Sequence, residues 1–199
     1  RGWATDAEQV VLMGYSFGGA LMTLATHRLE QDQDFKPKVA GLVGISTAFE
    51  VSHNVPRWQL SIAGLIAPLS RLFYKRFPRG SRWLTIGEMK IELISPDLGV
   101  QRAIREDDWT YKGRIPLNTS AQVYRASKVA KQTVDELLCD VLLIHSLDDQ
   151  IAKPPSQKSF KKAVALKLFK NLRHNCIDGT LREAVLARRA MTEFLVAKL

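Results

Sequence analysis

The sequence predicts an α/β protein, a mostly parallel sheet with helices on both faces, and three observations lead there. Short strands that are apolar on both faces, Val10–Met13, Val39–Ile45 and Val141–Ile144, alternate with segments of helical spacing. A glycine-rich turn joins the first of them directly to a helix. The composition, 199 residues with 46% hydrophobic and 25% charged, suits one domain that buries about 70% of its chain surface.

In chain order, Val10-Val11-Leu12-Met13 reads as a buried strand broken at Gly14, and Ala20 to Glu30 continue as a helix. Pro37 and Lys38 lead into the second strand, Val39–Ile45, where Gly41 and Gly44 suit close packing under helices. The alternation then breaks. Residues 52–117 carry Pro56, Pro68, Pro78 and Pro96, the anchors Trp58, Trp83 and Trp109, and helical patches without a strong strand signal. This stretch is expected to be an inserted lid or cap. Within it Ile62, Leu65, Ile66, Leu69, Leu72 and Phe73 share one helical face, with Arg71, Lys75 and Arg76 on or near the other, and Pro68 divides the run. The plain reading is a lid helix packed on the core; the other is a basic amphipathic face that touches lipid.

Asn118-Thr119-Ser120 matches a glycosylation acceptor but is read as a polar turn or helix cap. A helix around Ser120–Lys131 precedes the third strand, Val141–Ile144. A helix over Ser156–Val164, a fourth strand at Ala165–Phe169 and a last helix over Thr180–Ala197 complete the pattern. With no internal repeat and no Gly/Ser-rich linker, 1–199 reads as one partial domain with 52–117 inserted in it.

The formal net charge is +9, yet the basic residues are dispersed and accompany no zinc-finger, RNP or helix-turn-helix signature, so no nucleic-acid partner is expected. The longest apolar runs fall far short of the ~20 residues that cross a bilayer. Cys139 and Cys176 stand far apart without CxxC spacing, which argues against a disulfide framework or zinc site and for a reducing compartment. The expectation is a cytoplasmic protein, with peripheral contact to a membrane surface left open, and with no metal and no cofactor.

The strongest chemical signal is Gly14-Tyr15-Ser16-Phe17-Gly18, set between strand and helix as a nucleophile elbow requires. A serine at the apex of so sharp a turn strains the backbone, and Gly14 and Gly18 are expected to relieve crowding around it. The same turn brings the Phe17 N–H to the start of the helix, where it can stabilise an oxyanion. Gly19 and Ala20 let the helix approach its neighbours.

A serine hydroxyl is a weak nucleophile and calls for a histidine and an orienting carboxylate, here expected at the ends of later strands. The third strand runs into His145-Ser146-Leu147-Asp148-Asp149, offering two acids between which physics alone does not choose. The fourth leads to His174, one strand over. Of the four histidines, His27 lies within the first helix, His53 at the lid entrance ahead of the acid, and His145 at a strand end as a hydrogen-bonded structural residue. His174 is the expected base.

Gly14–Gly19, Leu142–Ile151 and His174 together resemble the α/β-hydrolases, in particular the monoacylglycerol lipase/lysophospholipase-like branch, also called serine aminopeptidase-like. Ser95-Pro96-Asp97-Leu98 and Asp108 to Pro116 are similar to its middle part. The resemblance maps the acid to Asp149, because Gln150-Ile151 follows it, and departs from the family at Ser146, where glycine is common. It implies that several strands and a second oxyanion donor precede this chain, leaving the last four strands of the sheet and an exposed flank on the elbow strand.

What it further implies is that the parent protein, rather than this piece with its incomplete oxyanion hole, is a serine hydrolase that cleaves carboxylic esters through an acyl-enzyme, with Ser16 as nucleophile, His174 as base, Asp149 as orienting acid and Phe17 N–H in the oxyanion hole. The lid's apolar face points to a lipid-like substrate, a monoglyceride or lysophospholipid. The alternative is a non-catalytic protein of the same fold that binds a ligand or partner in the pocket.

Overall fold

The computed structural model describes residues 7–51, 85–88 and 90–199. Four parallel strands form its sheet: β1 (Gln9–Tyr15), β2 (Lys38–Ile45), β5 (Asp140–Ser146) and β6 (Ala165–Phe169), side by side in that order. β1 stands at one edge, with Met13 half exposed. Among the described residues the helices are α1 (Phe17–Gln31), α2 (Leu98–Glu106), α3 (Leu117–Thr133) and α4 (Arg182–Lys198).

Side chains alternate across a strand, so an uninterrupted apolar run must be covered twice. Leu42, Val141 and Leu143 enter a core shared with Ala20, Ala130, Val134 and Phe160 on the side of α1 and α3. Val43, Ile45, Leu142 and Ile144 turn the other way, to Leu172, Cys176 and the α4 residues Ala184 and Ala187. Gly41 admits α4, since a methyl there would meet the Phe194 ring at 2.9 Å. Glu30 ties α1 to the start of β5 by accepting from the N–H groups of Leu138 and Cys139 at 2.9 and 2.8 Å.

Three expectations need correction. No helix spans Ser156–Val164: Ser156 and Ser159 cap a single turn over Gln157–Ser159, and the chain then extends at Phe160, which enters the core with Val164. Asn118-Thr119-Ser120 is neither turn nor cap but the first turn of α3, whose cap position is Pro116. The expected insertion holds a short antiparallel ribbon, β3 (Thr85–Glu88) with β4 (Arg114–Pro116), besides α2. Its expected amphipathic helix, Ile62 to Phe73, lies outside the described residues. Among those described, no helix is long and apolar enough to cross a membrane.

Candidate active site

The parallel strands end level with one another, Tyr15 beside Ile45, Ile45 beside Ile144 and Ser146 beside Phe169. The loops that follow them therefore gather at one edge of the sheet. Ser16, first after β1, has φ 54° and ψ −125°, a conformation that costs a non-glycine residue about 1–3 kcal/mol. Backbone bonds hold it there. Its N–H donates to the Ile45 carbonyl at 2.8 Å, and its own carbonyl accepts from Gly19 and Ala48, each at 3.1 Å.

Gly14 is required by this turn, because a methyl on it would stand 2.4 Å from the Gly18 carbonyl oxygen. Gly18 does not share that constraint. A methyl on it meets no described atom within 4 Å, because the residue already lies in α1 with its open side outward. Gly19 does, with the Thr47 hydroxyl 2.5 Å from where a methyl would sit.

A serine at a helix N-cap ordinarily turns its hydroxyl onto the backbone N–H groups of the first turn. Ser16 holds that position ahead of α1 and makes no such bond. Its Oγ stands instead 2.6 Å from Nε2 of His174. The Phe17 N–H, first in the helix and at the positive end of its dipole, faces no acceptor among the described residues.

His174 lies in the loop after β6 and is 2% exposed. Its Nδ1 is 2.8 Å from Asp149 Oδ2. A carboxylate accepts only, so Nδ1 carries the hydrogen, and Nε2 is left to accept from the Ser16 hydroxyl. Three contacts fix the loop: Ser146 Oγ–H donates to the Leu172 carbonyl, and the His174 and Asn175 N–H groups donate to the carbonyls of Leu93 and Ile94 at 3.3 and 2.6 Å. The Tyr15 ring tilts against the imidazole at 5.2 Å between centroids.

Asp149 is buried in the loop after β5. Its Oδ1 accepts from the N–H groups of Ile151 and Ala152 at 2.8 and 3.0 Å. Its Oδ2 accepts from His174 Nδ1 at 2.8 Å, and His145 Nε2, whose N–H donates to the Ala152 carbonyl, stands 3.0 Å from the same oxygen. Burial, the largest single influence, pushes this carboxyl up. The bonds from His145 and His174, with the charge of His174 and the Ala152 N–H, outweigh it and hold the group well below the usual carboxylate range.

Asp148, the other acid weighed from the sequence, accepts the Asn171 N–H at 2.7 Å and bonds neither histidine. His27 reaches Glu136 at 3.1 Å from α1, and His53 lies outside the described residues. His145 was expected to be hydrogen-bonded, but its bond to Asp149 was not read from the sequence. No pattern of residue types signals it, since it arises only when the loop folds 149 back over 145. Cys176 is buried with Sγ 3.2 Å from Ser46 Oγ, and burial pushes its thiol up to about 11. The thiol of Cys139 is pushed up to about 12, again chiefly by burial, so neither supplies a thiolate at neutral pH.

Among the described residues no group of three or more His, Cys, Asp and Glu side chains is arranged to hold a metal ion. A cavity of about 770 Å³ opens at the other end of the sheet, where it is lined by Glu30, Lys38, Cys139, Asp140 and Lys198. Glu30 is there bonded to backbone and Lys198 to Asp140.

Among solved structures the chain is similar to the monoacylglycerol lipase of Paleococcus ferrophilus, at 21% identity and a TM-score of 0.74 over 96% of this chain and 70% of that one. A soluble variant of the monoglyceride lipase of Saccharomyces cerevisiae, in complex with a substrate analogue, matches at 17% identity and a TM-score of 0.67, over 92% and 60%. The meta-cleavage product hydrolase of Pseudomonas fluorescens IP01 matches at 16% and 0.55, over 98% and 67%. This chain thus spans about two thirds of the length of these proteins. No curated protein matches it. The family model for serine aminopeptidase, S33, matches residues 3–179. A parallel sheet with helices on both faces, the likeness to these hydrolase structures and a family match over most of its length lead to one statement: the chain belongs to the S33 serine aminopeptidase family and has the α/β-hydrolase fold.

Proposed function

We propose that the protein is a serine hydrolase of carboxylic esters, with Ser16 as nucleophile, His174 as general base and acid, and Asp149 as the group that orients the imidazole. The observation that carries this reading is the unbroken run from the Ser16 hydroxyl to His174 Nε2 at 2.6 Å and from His174 Nδ1 to Asp149 at 2.8 Å. It lies behind a strained serine that gives up its capping bond to make it.

Ser16 Oγ attacks the ester carbonyl carbon while its proton passes to His174 Nε2. The resulting oxyanion faces the Phe17 N–H. The carbon–oxygen bond to the leaving alcohol breaks, and His174 returns its proton to that alcohol. Water then repeats the sequence on the acyl-enzyme, releasing the acid and freeing Ser16. Asp149 stays ionised throughout and stabilises the imidazolium.

The substrate is a lipid-like ester of the monoglyceride or lysophospholipid kind. Supporting this are the likenesses to a monoacylglycerol lipase and to a monoglyceride lipase solved with a substrate analogue. Residues 52–117, inserted between β2 and α3, are proposed as the cap that shapes the acyl pocket, working at a peripheral membrane contact or in the cytoplasm.

A fluorophosphonate probe tests the chemistry. Labelling of the full-length protein that disappears in Ser16→Ala is expected; labelling that persists in Ser16→Ala overturns the assignment, and none in either leaves a ligand-binding protein of the same fold. A series of monoacyl esters of rising chain length reads the substrate class, with hydrolysis expected to rise with acyl length.

A further inference from the structure

Asp149 Oδ2 lies between two imidazoles, and only one of them belongs to the triad just proposed. The Nε2 of His145 is 3.0 Å from that oxygen and 3.0 Å from the Ala152 carbonyl. Both partners accept only, so Nε2 must carry a hydrogen; it donates to the Ala152 carbonyl and lies in ion-pair contact with Asp149 Oδ2. His145 is 1% exposed, so neither bond competes with water. It is the last residue but one of β5, an inner strand of the sheet, while Asp149 and His174 both stand on loops.

We propose that His145 is a positioning residue of this site: its Nε2–H fixes the Asp149 carboxylate from the strand side and draws charge from the one oxygen that also faces His174. The proposal deepens the hydrolase reading and rests on it. The physical content is a division of charge. An oxygen that accepts one N–H concentrates its charge on that donor, and one that accepts two divides it. With His145 in place, Asp149 orients His174 firmly yet holds its proton less tightly than a carboxylate given to it alone. Ala152 completes the arrangement, its carbonyl receiving from His145 and its N–H donating to Asp149 Oδ1 at 3.0 Å.

Other titratable groups face the pair: Tyr15 from β1 against the His174 ring, and Cys176 and Asp178 from the loop that carries His174. Asp148, beside Asp149, is bonded to Asn171. None of these changes in the variants below.

Two variants separate positioning from packing. His145→Leu keeps bulk and loses the donor; His145→Gln keeps a donor at nearly the same reach. The rate of fluorophosphonate labelling is measured from pH 5 to 9. In His145→Leu the acidic limb is expected to move up by about one pH unit, because His174 then meets the whole charge of Asp149 Oδ2. In His145→Gln it is expected to return to the wild-type position. A limb that stays put in His145→Leu, with only the rate or the melting temperature lowered, overturns the proposal and leaves His145 a packing residue.

Nitrogen-15 histidine NMR on the wild-type protein gives a second test that does not depend on either variant folding or on any turnover. It is expected to show His145 as the Nε2–H tautomer and His174 as the Nδ1–H tautomer. Finding His145 without a hydrogen on Nε2 overturns the proposal. Absence of labelling in the wild type at every pH would instead count against the hydrolase reading, while a His145 found without a hydrogen on Nε2 would still overturn the proposal on its own.

Discussion

Asp148 and Asp149 are consecutive in the chain, yet their carboxylates serve different partners. Asp149 Oδ2 accepts from the His174 imidazole at 2.8 Å, whereas Asp148 Oδ2 accepts from the Asn171 backbone at 2.7 Å. One holds a side chain and the other holds the loop that carries it.

The two acids should separate on substitution. Asp149→Asn is expected to lower ester hydrolysis and probe labelling by about 10⁴-fold, since the amide favours the wrong imidazole tautomer. Asp148→Ala should keep activity within about tenfold and cost about 1 kcal/mol of stability from the orphaned Asn171 N–H. Rates for the two variants, with urea unfolding of each, check both statements.

Asp149 also makes stability depend on pH. Its carboxyl is held below the ordinary range in the folded chain, so the folded state binds this proton less readily than the unfolded one. The stabilisation is complete above about pH 5 and drains away as the pH falls through and below the ordinary carboxylate value of about 3.9. The gap in unfolding free energy between wild type and Asp149→Asn should therefore narrow from pH 7 to pH 3. A gap that stays constant would show that the carboxylate is not favoured by folding.

The elbow glycines differ in the same testable way. A methyl on Gly14 would press on the Gly18 carbonyl oxygen at 2.4 Å, while one on Gly18 meets no described atom within 4 Å. Gly14→Ala should destabilise the protein by more than about 2 kcal/mol and abolish labelling. Gly18→Ala should be neutral or stabilising by up to about 1 kcal/mol, as expected for alanine replacing glycine inside a helix. Thermal unfolding with probe labelling reads both.

Ser16 stores strain that an inactive variant can release. Its φ of 54° suits glycine and not alanine. Ser16→Gly is expected to be more stable than Ser16→Ala by about 1 kcal/mol, with neither labelled. Equal stabilities would mean that the turn relaxes once the hydroxyl is gone.

The sheet was legible because its two inner strands are buried on both faces. Val39–Ile45 and Val141–Ile144 read as apolar runs, and both lie where that pattern puts them. Ser16, His174 and the acidic pair were legible because strand ends and chain order confine where such residues can stand. The ribbon of Thr85–Glu88 with Arg114–Pro116 was not, for segments of three and four residues hold too little periodicity to register. Ser156–Val164 looked helical by spacing, but a local serine cap stops the helix after one turn and Phe160 is drawn into the core. The partnership of His145 with Asp149 escaped for another reason. A histidine at a strand end carries the same local signature whether it bonds backbone or a neighbouring acid.

The backbone of His174 is not anchored by the parallel strands alone. Its N–H and that of Asn175 donate to Leu93 and Ile94, and Asp97 accepts from the Thr180 N–H at 3.2 Å farther along. Residues 93–97 thus act as a splint along the loop that carries His174. Excising the middle of this polypeptide would remove that splint, and a shortened version that kept Ser16, Asp149 and His174 would still leave the imidazole adrift.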